Sequence, residues 1–427
     1  MEYLLFVVYL IVFAWLVTRM RFFNRSGLSD PQLIIIFLLK VLAGIFYGWI
    51  GRYYGGLAQM ADTWGFHQNG ILEYNLLLTN PWEYFTNLFH NPYAGGFEKF
   101  FNADESYWND LKANAFIKIL SIFNIFSFGN YYVNVVFYSF VSLFGPVAIF
   151  RVMTDVFPAK KIPIILATFL VPSFLYWTSG IHKDGLIFLG ISLIVYHLYF
   201  GWKENKYGVK RILGILVGLL LLLVLRNFIL VVIFPAVVAW ILANRSSRPG
   251  LITFGTVYVV FIILFFTIRY IKPEFDFPKA VVTKQQEFMK LKGNTSIEIE
   301  QLEPTAVSFL KNIPVAFTLS TIRPYPGDVR HILSLAAATE INLLLLFFLA
   351  FLFLRTNGIQ SKNFVYFCLF FSFSLLLAIG FSVNNLGAIV RYRSVLIPLL
   401  VVPMAAQIDW KRLNTFFFNG IKLKTNT

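Results

Sequence analysis

Charged residues and cysteine are scarce in this 427-residue chain. Only 13% of its residues are charged and 58% are apolar, whereas soluble domains carry about 25% charged residues. The single cysteine, Cys368, excludes an intramolecular disulfide, a cysteine-based zinc site and an iron–sulfur cluster. Aromatic residues make up 19% of the chain, and apolar runs recur that are long enough for a helix to cross a bilayer. The composition therefore predicts an all-α integral membrane protein.

Eleven apolar runs predict membrane-spanning helices. They cover residues 3–18, 32–51, 131–150, 162–178, 185–201, 212–225, 228–243, 250–270, 332–354, 364–383 and 394–408. The two runs around Arg226 barely cross a core of ~30 Å, so two spans, one long bent helix and a re-entrant hairpin all stay open there. Arg19, Arg21 and Arg25 follow the first run where a signal peptide would have a cleavage site, so we predict a retained first helix.

Basic residues are concentrated on one side of these spans. With the N-terminus outside, the inner segments carry 18 lysines and arginines against four acidic residues, and the outer segments carry 17 against 16. This asymmetry follows the positive-inside rule and predicts an outer N-terminus and a cytoplasmic C-terminus. The net charge of +15 therefore reports topology and requires no nucleic-acid partner.

The chain is predicted to form one polytopic membrane domain over residues 1–410, followed by a short basic cytoplasmic tail over 411–427. Two outer segments, 52–130 and 271–331, are too long to be simple connectors, and function is expected on such segments. Within the first, residues 111–127 have the apolar face of a short helix that lies along the membrane interface.

The outer segment after the second span carries one carboxylate and one imidazole, Asp62 and His67, five residues apart. A carboxylate there can accept the proton of a sugar hydroxyl as that hydroxyl attacks, and partial burial beside aromatic residues would raise its pKa into a useful range. Alternatively, Asp62 is the N-cap of a helix that starts near Thr63. The two side chains could also share a divalent cation, Mg²⁺ or Mn²⁺, with a substrate phosphate, although the isolated histidines argue against a transition-metal centre built by the protein.

A second polar cluster is the tight turn between the fourth and fifth spans, which contains His182, Lys183 and Asp184. Lys183 can serve there as a point charge, and His182 as a hydrogen-bond donor, for a lipid phosphate. In the alternative interpretation Lys183 and Asp184 pair at the surface and Asp184 caps the next helix.

Four arginines fall at outer ends of spans: Arg226, Arg323, Arg391 and Arg393. Topology does not need arginine on that side, and guanidinium groups bind phosphate with two hydrogen bonds, so they predict a site for a polyprenyl phosphate or pyrophosphate head group. The alternatives are contact with lipid head groups and pairing with carboxylates. Glu340 is an intramembrane carboxylate, which is either functional or a structural partner of one of these arginines.

Together these pieces resemble multi-pass bacterial envelope-polysaccharide proteins of the GT-C glycosyltransferase type, including polymerase-like members. The similar motifs are Ala61-Asp62-Thr-Trp-Gly-Phe-His, Pro172-Ser-Phe-Leu-Tyr-Trp-Thr-Ser-Gly-Ile-His-Lys-Asp184, Leu225-Arg-Asn, Ile322-Arg-Pro-Tyr-Pro and Val390-Arg-Tyr-Arg393. The resemblance implies a GT-C-like fold in the bacterial inner membrane and sugar transfer from a polyprenyl-linked donor to a glycan, lipid or protein acceptor. It gives Asp62 the role of base. The chain departs from the pattern in having one acid, not two adjacent acids, in its first loop.

Three functions remain open from the sequence. The first is a glycosyltransferase that uses a lipid-phosphate donor, with Asp62 as base. The second is a polymerase or ligase that joins oligosaccharides from lipid pyrophosphate, in which the arginines dominate. The third is a flippase or transporter of a lipid-linked glycan, in which the same cations line a pathway.

Overall fold

The computed structural model describes residues 2–54, 61–93, 106–291, 293–356, 358–359 and 361–415. In these residues the regular structure is helical, apart from two isolated β-bridges. The α-helices, numbered along the chain, are α1 Glu2–Arg19, α2 Arg21–Asn24, α3 Asp30–Tyr53, α4 Ala61–Thr79, α5 Pro81–Thr86, α6 Tyr107–Ser127, α7 Tyr131–Val156, α8 Lys161–Phe169, α9 Pro172–Ser179, α10 Lys183–Lys203, α11 Val209–Arg245, α12 Gly250–Thr267, α13 Phe277–Lys290, α14 Ala306–Thr321, α15 Ile332–Leu354, α16 Lys362–Ser382, α17 Leu386–Ser394 and α18 Ile397–Gln407.

Eight of the described helices are long and apolar enough to cross a membrane: α1, α3, α7, α10, α11, α12, α15 and α16. Two bent pairs, α8 with α9 and α17 with α18, pass the same test when each pair counts as one span, which gives up to ten. The prediction of an all-α chain with many membrane-spanning helices is confirmed at this level.

Two of the expected spans are bent. The run 162–178 is divided into α8 and α9, which meet at 52°. Proline has no N–H and disfavours helical geometry in the preceding residue, so Pro172 ends α8 and starts α9 after the extended residue Val171. The run 394–408 contains α18, which forms a second bent pair with α17. The two helices meet at 63°.

Helix α11 reverses its direction at Arg226, which has the non-helical angles φ −160° and ψ 76°. Arg226 lies 3.1 Å from Asp184 at the start of α10. The two ends of α11 lie at the other end of α10, where Arg211 donates to a carbonyl of its last turn and Arg245 lies 5.7 Å from the ring of Trp202. The segment therefore folds back at Arg226, which brings this residue next to the first turn of α10.

Burial separates central helices from peripheral ones. The apolar window of α7 is 78% buried and that of α10 is 67% buried, whereas the windows of α1, α12 and α15 are each 11% buried. Apolar helix surface that the protein leaves open is suited to lipid. The core thus surrounds α7 and α10, and the candidate site lies where α10 begins.

In the first outer segment, α6 packs against α4. Phe116 and Leu120, on the apolar face of this helix, are both fully buried. On the polar side Lys118 pairs with Glu73 of α4. The helix expected over 111–127 is therefore present and begins a few residues earlier, at Tyr107. Its position along the membrane surface stays a prediction.

Candidate functional site

The turn between α9 and α10 is packed tightly from two sides. Gly180 lies so close to Tyr47 that a Cβ atom at this position would overlap the ring. On the other side the hydroxyl of Tyr138 donates to the carbonyl of His182. The Nδ1 atom of His182 accepts a 2.8 Å hydrogen bond from the backbone N–H of Lys183, so His182 is the N-cap of α10. This packing fixes the first turn of α10.

Asp184 in that first turn is fully buried and faces two guanidinium groups, with the ring of His182 also close to it. Its Oδ2 atom is 2.7 Å from Arg391 Nε and 3.0 Å from His182 Nδ1, and its Oδ1 atom is 3.1 Å from Arg226 Nη2. A carboxylate out of contact with water needs such partners because its desolvation is costly. The alternative of a surface pair between Lys183 and Asp184 is therefore wrong, and so is Asp184 as the cap of α10.

Asp62 lies at the solvent edge of this cluster. Its Oδ2 atom is 3.9 Å from Arg391 Nη1 and 4.0 Å from His182 Nε2, and its side chain is 61% exposed. The expected partial burial is therefore wrong. Because α4 begins at Ala61, Asp62 is a first-turn residue and not the N-cap. Its carboxylate is accessible to a ligand in the space beside Arg391.

The residues after Asp62 hold it against the turn. Thr63 is fully buried, and its Oγ1 atom lies 2.7 Å from the hydroxyl of Tyr131 and donates to the carbonyl of Ile181 at 3.0 Å. Trp64 donates from its indole N–H to the carbonyl of Gly48 at 2.9 Å. The start of α4 is thus tied to α3, to α7 and to the turn that carries His182.

The imidazole of His182 is neutral at physiological pH. Burial and the nearby charge of Arg391 lower its pKa to about 3, although Asp184 acts in the opposite direction. His182 therefore adds no positive charge for a phosphate. Its unprotonated ring nitrogen accepts from the Arg391 guanidinium instead, because Arg391 Nη2 lies within hydrogen-bond distance of both ring nitrogens, 2.8 Å from Nδ1 and 2.6 Å from Nε2.

A cavity of about 620 Å³ opens beside Asp62 and Arg391. Its wall combines aromatic rings with amide, hydroxyl and carboxylate groups. The polar and aromatic lining includes Tyr47, Asp62, Tyr176, Trp177, Asn294, Thr295, Asp328, His331, Ser334, Glu340, Asn385, Arg391 and Tyr392. A concave site with apolar walls and a few converging polar groups is the usual form of a small-molecule site.

An apolar groove of about 640 Å³ lies next to this cavity, between the α8–α9 pair and α15. Its lining is almost entirely aliphatic, for example Leu166, Leu170 and Leu343. Pro172, Ala336 and Glu340 line both the groove and the cavity. The two spaces are therefore neighbours. The cavity contains a cation and several polar groups, and the groove is almost entirely apolar.

His67 does not line this cavity with Asp62. Residues five apart on a helix are about 140° apart around its axis, and His67 is 5% exposed, packed against the rings of Trp64 and Tyr131. Burial lowers its pKa to about 4, against the effect of a hydrogen bond with the backbone of Gly129. The structure thus places His67 in the packing between α4 and α7.

Arg323 and Arg393 lie near the cavity, and both are engaged by the protein. Arg323 donates from Nε and Nη2 to the carboxylate of Asp328 at 3.0 and 2.8 Å. Arg393 is 6% exposed and donates from Nη1 to the backbone carbonyls of Ser320 and Arg323. Of the four predicted arginines, Arg226 and Arg391 therefore meet at Asp184, and the other two hold the chain around α14.

Glu340 lies where the cavity meets the groove. Its Oε2 atom accepts a 2.6 Å hydrogen bond from the backbone N–H of Ser173, in the first turn of α9. A first-turn N–H has no partner within its own helix, so the carboxylate satisfies it. Glu340 is also close enough to Arg393 to interact with its charge, so its interpretation as a structural partner of an arginine stays open.

Two further basic residues near the site were not singled out from the sequence as ligand groups. They are Lys112 on α6 and Lys284 on α13, and the positive charge of Lys284 is close enough to act on Lys112. Burial and the positive charges of Lys284 and Arg226 lower the pKa of Lys112 to about 8, while Glu287 acts in the opposite direction. The only sequence signal is that Lys112 is four residues before Phe116, on the face of α6 that is buried.

The described residues do not provide a metal site. Among them no three His, Cys, Asp or Glu side chains come together as a possible metal-binding group. A divalent cation that arrives with a phosphate ligand stays a prediction.

Comparison with known proteins found no matching family model, no matching curated protein and no matching solved structure. The functional proposal therefore rests on the geometry of the site.

Proposed function

We propose that this protein transfers a sugar from a polyprenyl-phosphate-linked donor to a glycan, lipid or protein acceptor at the outer face of the membrane. One observation carries the proposal: the exposed carboxylate of Asp62 lies 3.9 Å from the Arg391 guanidinium, at the wall of a cavity that adjoins an apolar groove. A base, a cation for phosphate and a place for a lipid chain are what such a transfer requires.

In the proposed reaction the acceptor hydroxyl oxygen forms a bond to the anomeric carbon of the donor sugar, and its proton passes to the carboxylate of Asp62. The bond between the anomeric carbon and the phosphate oxygen breaks, and its electron pair leaves with the phosphate. Arg391 stabilises the added negative charge, because guanidinium forms strong charge-assisted hydrogen bonds with phosphate oxygens. Asp184 and His182 position Arg391 for this role.

The two neighbouring spaces fit the two halves of such a donor. The cavity offers aromatic faces and hydrogen-bonding groups, such as Trp177 and Asn385, for a sugar. The groove offers aliphatic walls for a prenyl chain, and each buried CH₂ group contributes about 0.8 kcal/mol. Glu340 and Pro172 belong to both linings, so one donor molecule can extend from the cavity into the groove.

We also propose the topology in which this site faces outwards. Eleven crossings result if the two halves of α11 count separately and each bent pair crosses once. The reversal at Arg226 supports counting the halves of α11 separately. The excess of basic residues on the opposite side supports an outer N-terminus. The fold would then be GT-C-like and the location a bacterial inner membrane, with membrane lipids as further partners.

The proposal is tested by transfer of labelled sugar from polyprenyl-phosphate and polyprenyl-pyrophosphate donors by the purified protein in lipid. We expect activity in the wild type and a loss of at least ~100-fold in Asp62→Asn, the usual contribution of a general base. Glu303→Gln is the matched control, because it removes an exposed acid from the outer segment and should leave activity unchanged.

Other results would contradict the proposal in distinguishable ways. Normal turnover by Asp62→Asn would remove Asp62 from the chemistry. Absence of transfer with every donor, together with movement of the lipid-linked glycan across the bilayer, would instead indicate a flippase.

A further inference from the structure

We infer that Asn385 is a specificity-determining residue for the sugar, and that it acts as a hydrogen-bond donor from its Nδ2 atom. This inference deepens the proposed function and rests on it. Asn385 lines the cavity and does not line the groove. The part of the donor that meets it is therefore the polar head and not the prenyl chain.

The amide oxygen of Asn385 is already occupied by the protein. Oδ1 accepts a 3.1 Å hydrogen bond from the backbone N–H of Ala388, so Asn385 is the N-cap of α17. The same oxygen accepts from the hydroxyl of Thr295 at 3.0 Å. Because a backbone N–H can only donate, the oxygen must face Ala388, and the NH₂ group lies on the other side of the amide.

The NH₂ group of Asn385 is left uncovered by a glycine. A Cβ atom at Gly293 would overlap Nδ2 of Asn385, and Gly293 is itself part of the cavity wall. In the part of the chain that the structure describes, no protein atom accepts a hydrogen bond from Nδ2. Asn385 is half-buried, so a ligand in the cavity can reach this group. A hydroxyl or acyl oxygen of a sugar would satisfy it.

The position of Asn385 is fixed by the segment that crosses the start of α17. The carbonyl of Thr295 accepts from the backbone N–H of Leu386 at 3.0 Å. The hydroxyl of Thr295 accepts from the backbone N–H of Gly387 at 3.3 Å. Arg391 lies further along the same helix. Asn385 is therefore held in a constant position relative to the cation that is proposed to bind the phosphate.

The test measures how much a sugar adds to the affinity of a lipid phosphate. Farnesyl phosphate is compared with its glucose, galactose and N-acetylglucosamine esters, bound to the full-length protein in nanodiscs of zwitterionic lipid. We expect at least one sugar to raise the affinity of the wild type about tenfold. Asn385→Asp should lower this affinity ratio about threefold to tenfold, the effect of one hydrogen bond.

Asn385→Asp removes the NH₂ group and little else. An aspartate caps a helix as well as an asparagine does, and its carboxylate can still accept from Thr295. The added negative charge acts on the phosphate of every ligand in the comparison, so it cancels in the affinity ratio.

Gly293→Ala tests the same NH₂ group without a change in charge. The added methyl group would cover Nδ2, so the affinity ratio should fall by a similar factor, while the affinity for farnesyl phosphate stays unchanged. The controls make the same substitutions elsewhere. Asn130→Asp changes the N-cap of α7, and Gly327→Ala adds a Cβ atom that meets nothing within 4 Å. Both should keep the wild-type ratio.

An unchanged affinity ratio in Asn385→Asp, or in folded Gly293→Ala, would overturn the role of Asn385. A wild type that binds farnesyl phosphate but prefers none of the sugar esters would overturn it as well. In these cases sugar transfer that is present in the wild type and lost in Asp62→Asn would still support the proposed function. If farnesyl phosphate does not bind at all, both proposals fail.

Discussion

Replacing Asp184 by asparagine should strongly destabilise the protein. Asparagine has nearly the same shape, so the substitution removes the charge and little else. Asp184 is fully buried, and its carboxylate faces Arg226 at 3.1 Å and Arg391 at 2.7 Å. Without it, two guanidinium groups face each other with reduced access to water.

The expected loss follows from what removal of one partner does to a buried ion pair. Such removal costs about 3–5 kcal/mol, because a buried charge is left uncompensated. Asp328→Asn is the matched control, since Asp328 also pairs with an arginine, Arg323, through two hydrogen bonds. That pair is more accessible, with the arginine side chain 27% exposed, so its loss should cost at most about 1 kcal/mol.

Reversible denaturation in mixed micelles gives the free energy of unfolding of both variants. We expect Asp184→Asn to lose several times as much stability as Asp328→Asn. Equal losses, or a loss below about 1 kcal/mol for Asp184→Asn, would refute the view that Asp184 is the buried counter-charge that holds the two arginines.

Two further results are expected. Lys40 is 2% exposed and donates to the carbonyl of Thr178 at 2.7 Å and to the hydroxyl of Ser179 at 3.2 Å. Lys40→Met should therefore cost about 1–3 kcal/mol, because it leaves these groups at the end of α9 unpaired. An unchanged free energy of unfolding would contradict this role. Addition of EDTA should change the rate of sugar transfer by less than about twofold, because Arg391 already supplies a positive charge beside Asp62. Complete loss, restored by Mg²⁺ or Mn²⁺, would show that a cation arrives with the donor.

Apolar length made most of the helices predictable, and local geometry decided where the prediction departed from the structure. The spans near α3, α7, α10 and α12 follow from uninterrupted apolar runs. The bend between α8 and α9 has a local cause, because Pro172 restricts the residue before it. The reversal at Arg226 has no proline or glycine at that point, so the sequence left it open.

The site was only partly predictable because its central contact joins distant parts of the chain. Arg391 and Asp184 are 207 positions apart in sequence, and nothing local shows that Asp184 turns inwards instead of pairing with Lys183. Asp62 and His67 are five residues apart, and this spacing already places them on different sides of a helix. Nothing in the sequence marks Lys112 as a neighbour of Arg226, and only the folded structure brings the two close together.

The chemical role of Asp62 is tested most directly by measuring donor binding and sugar transfer together in Asp62→Asn. The account predicts that transfer falls at least ~100-fold, while the affinity for the lipid-phosphate donor changes by less than about threefold, because Arg391 and the groove remain intact. Transfer at the wild-type rate, with the same donor affinity, would contradict the account.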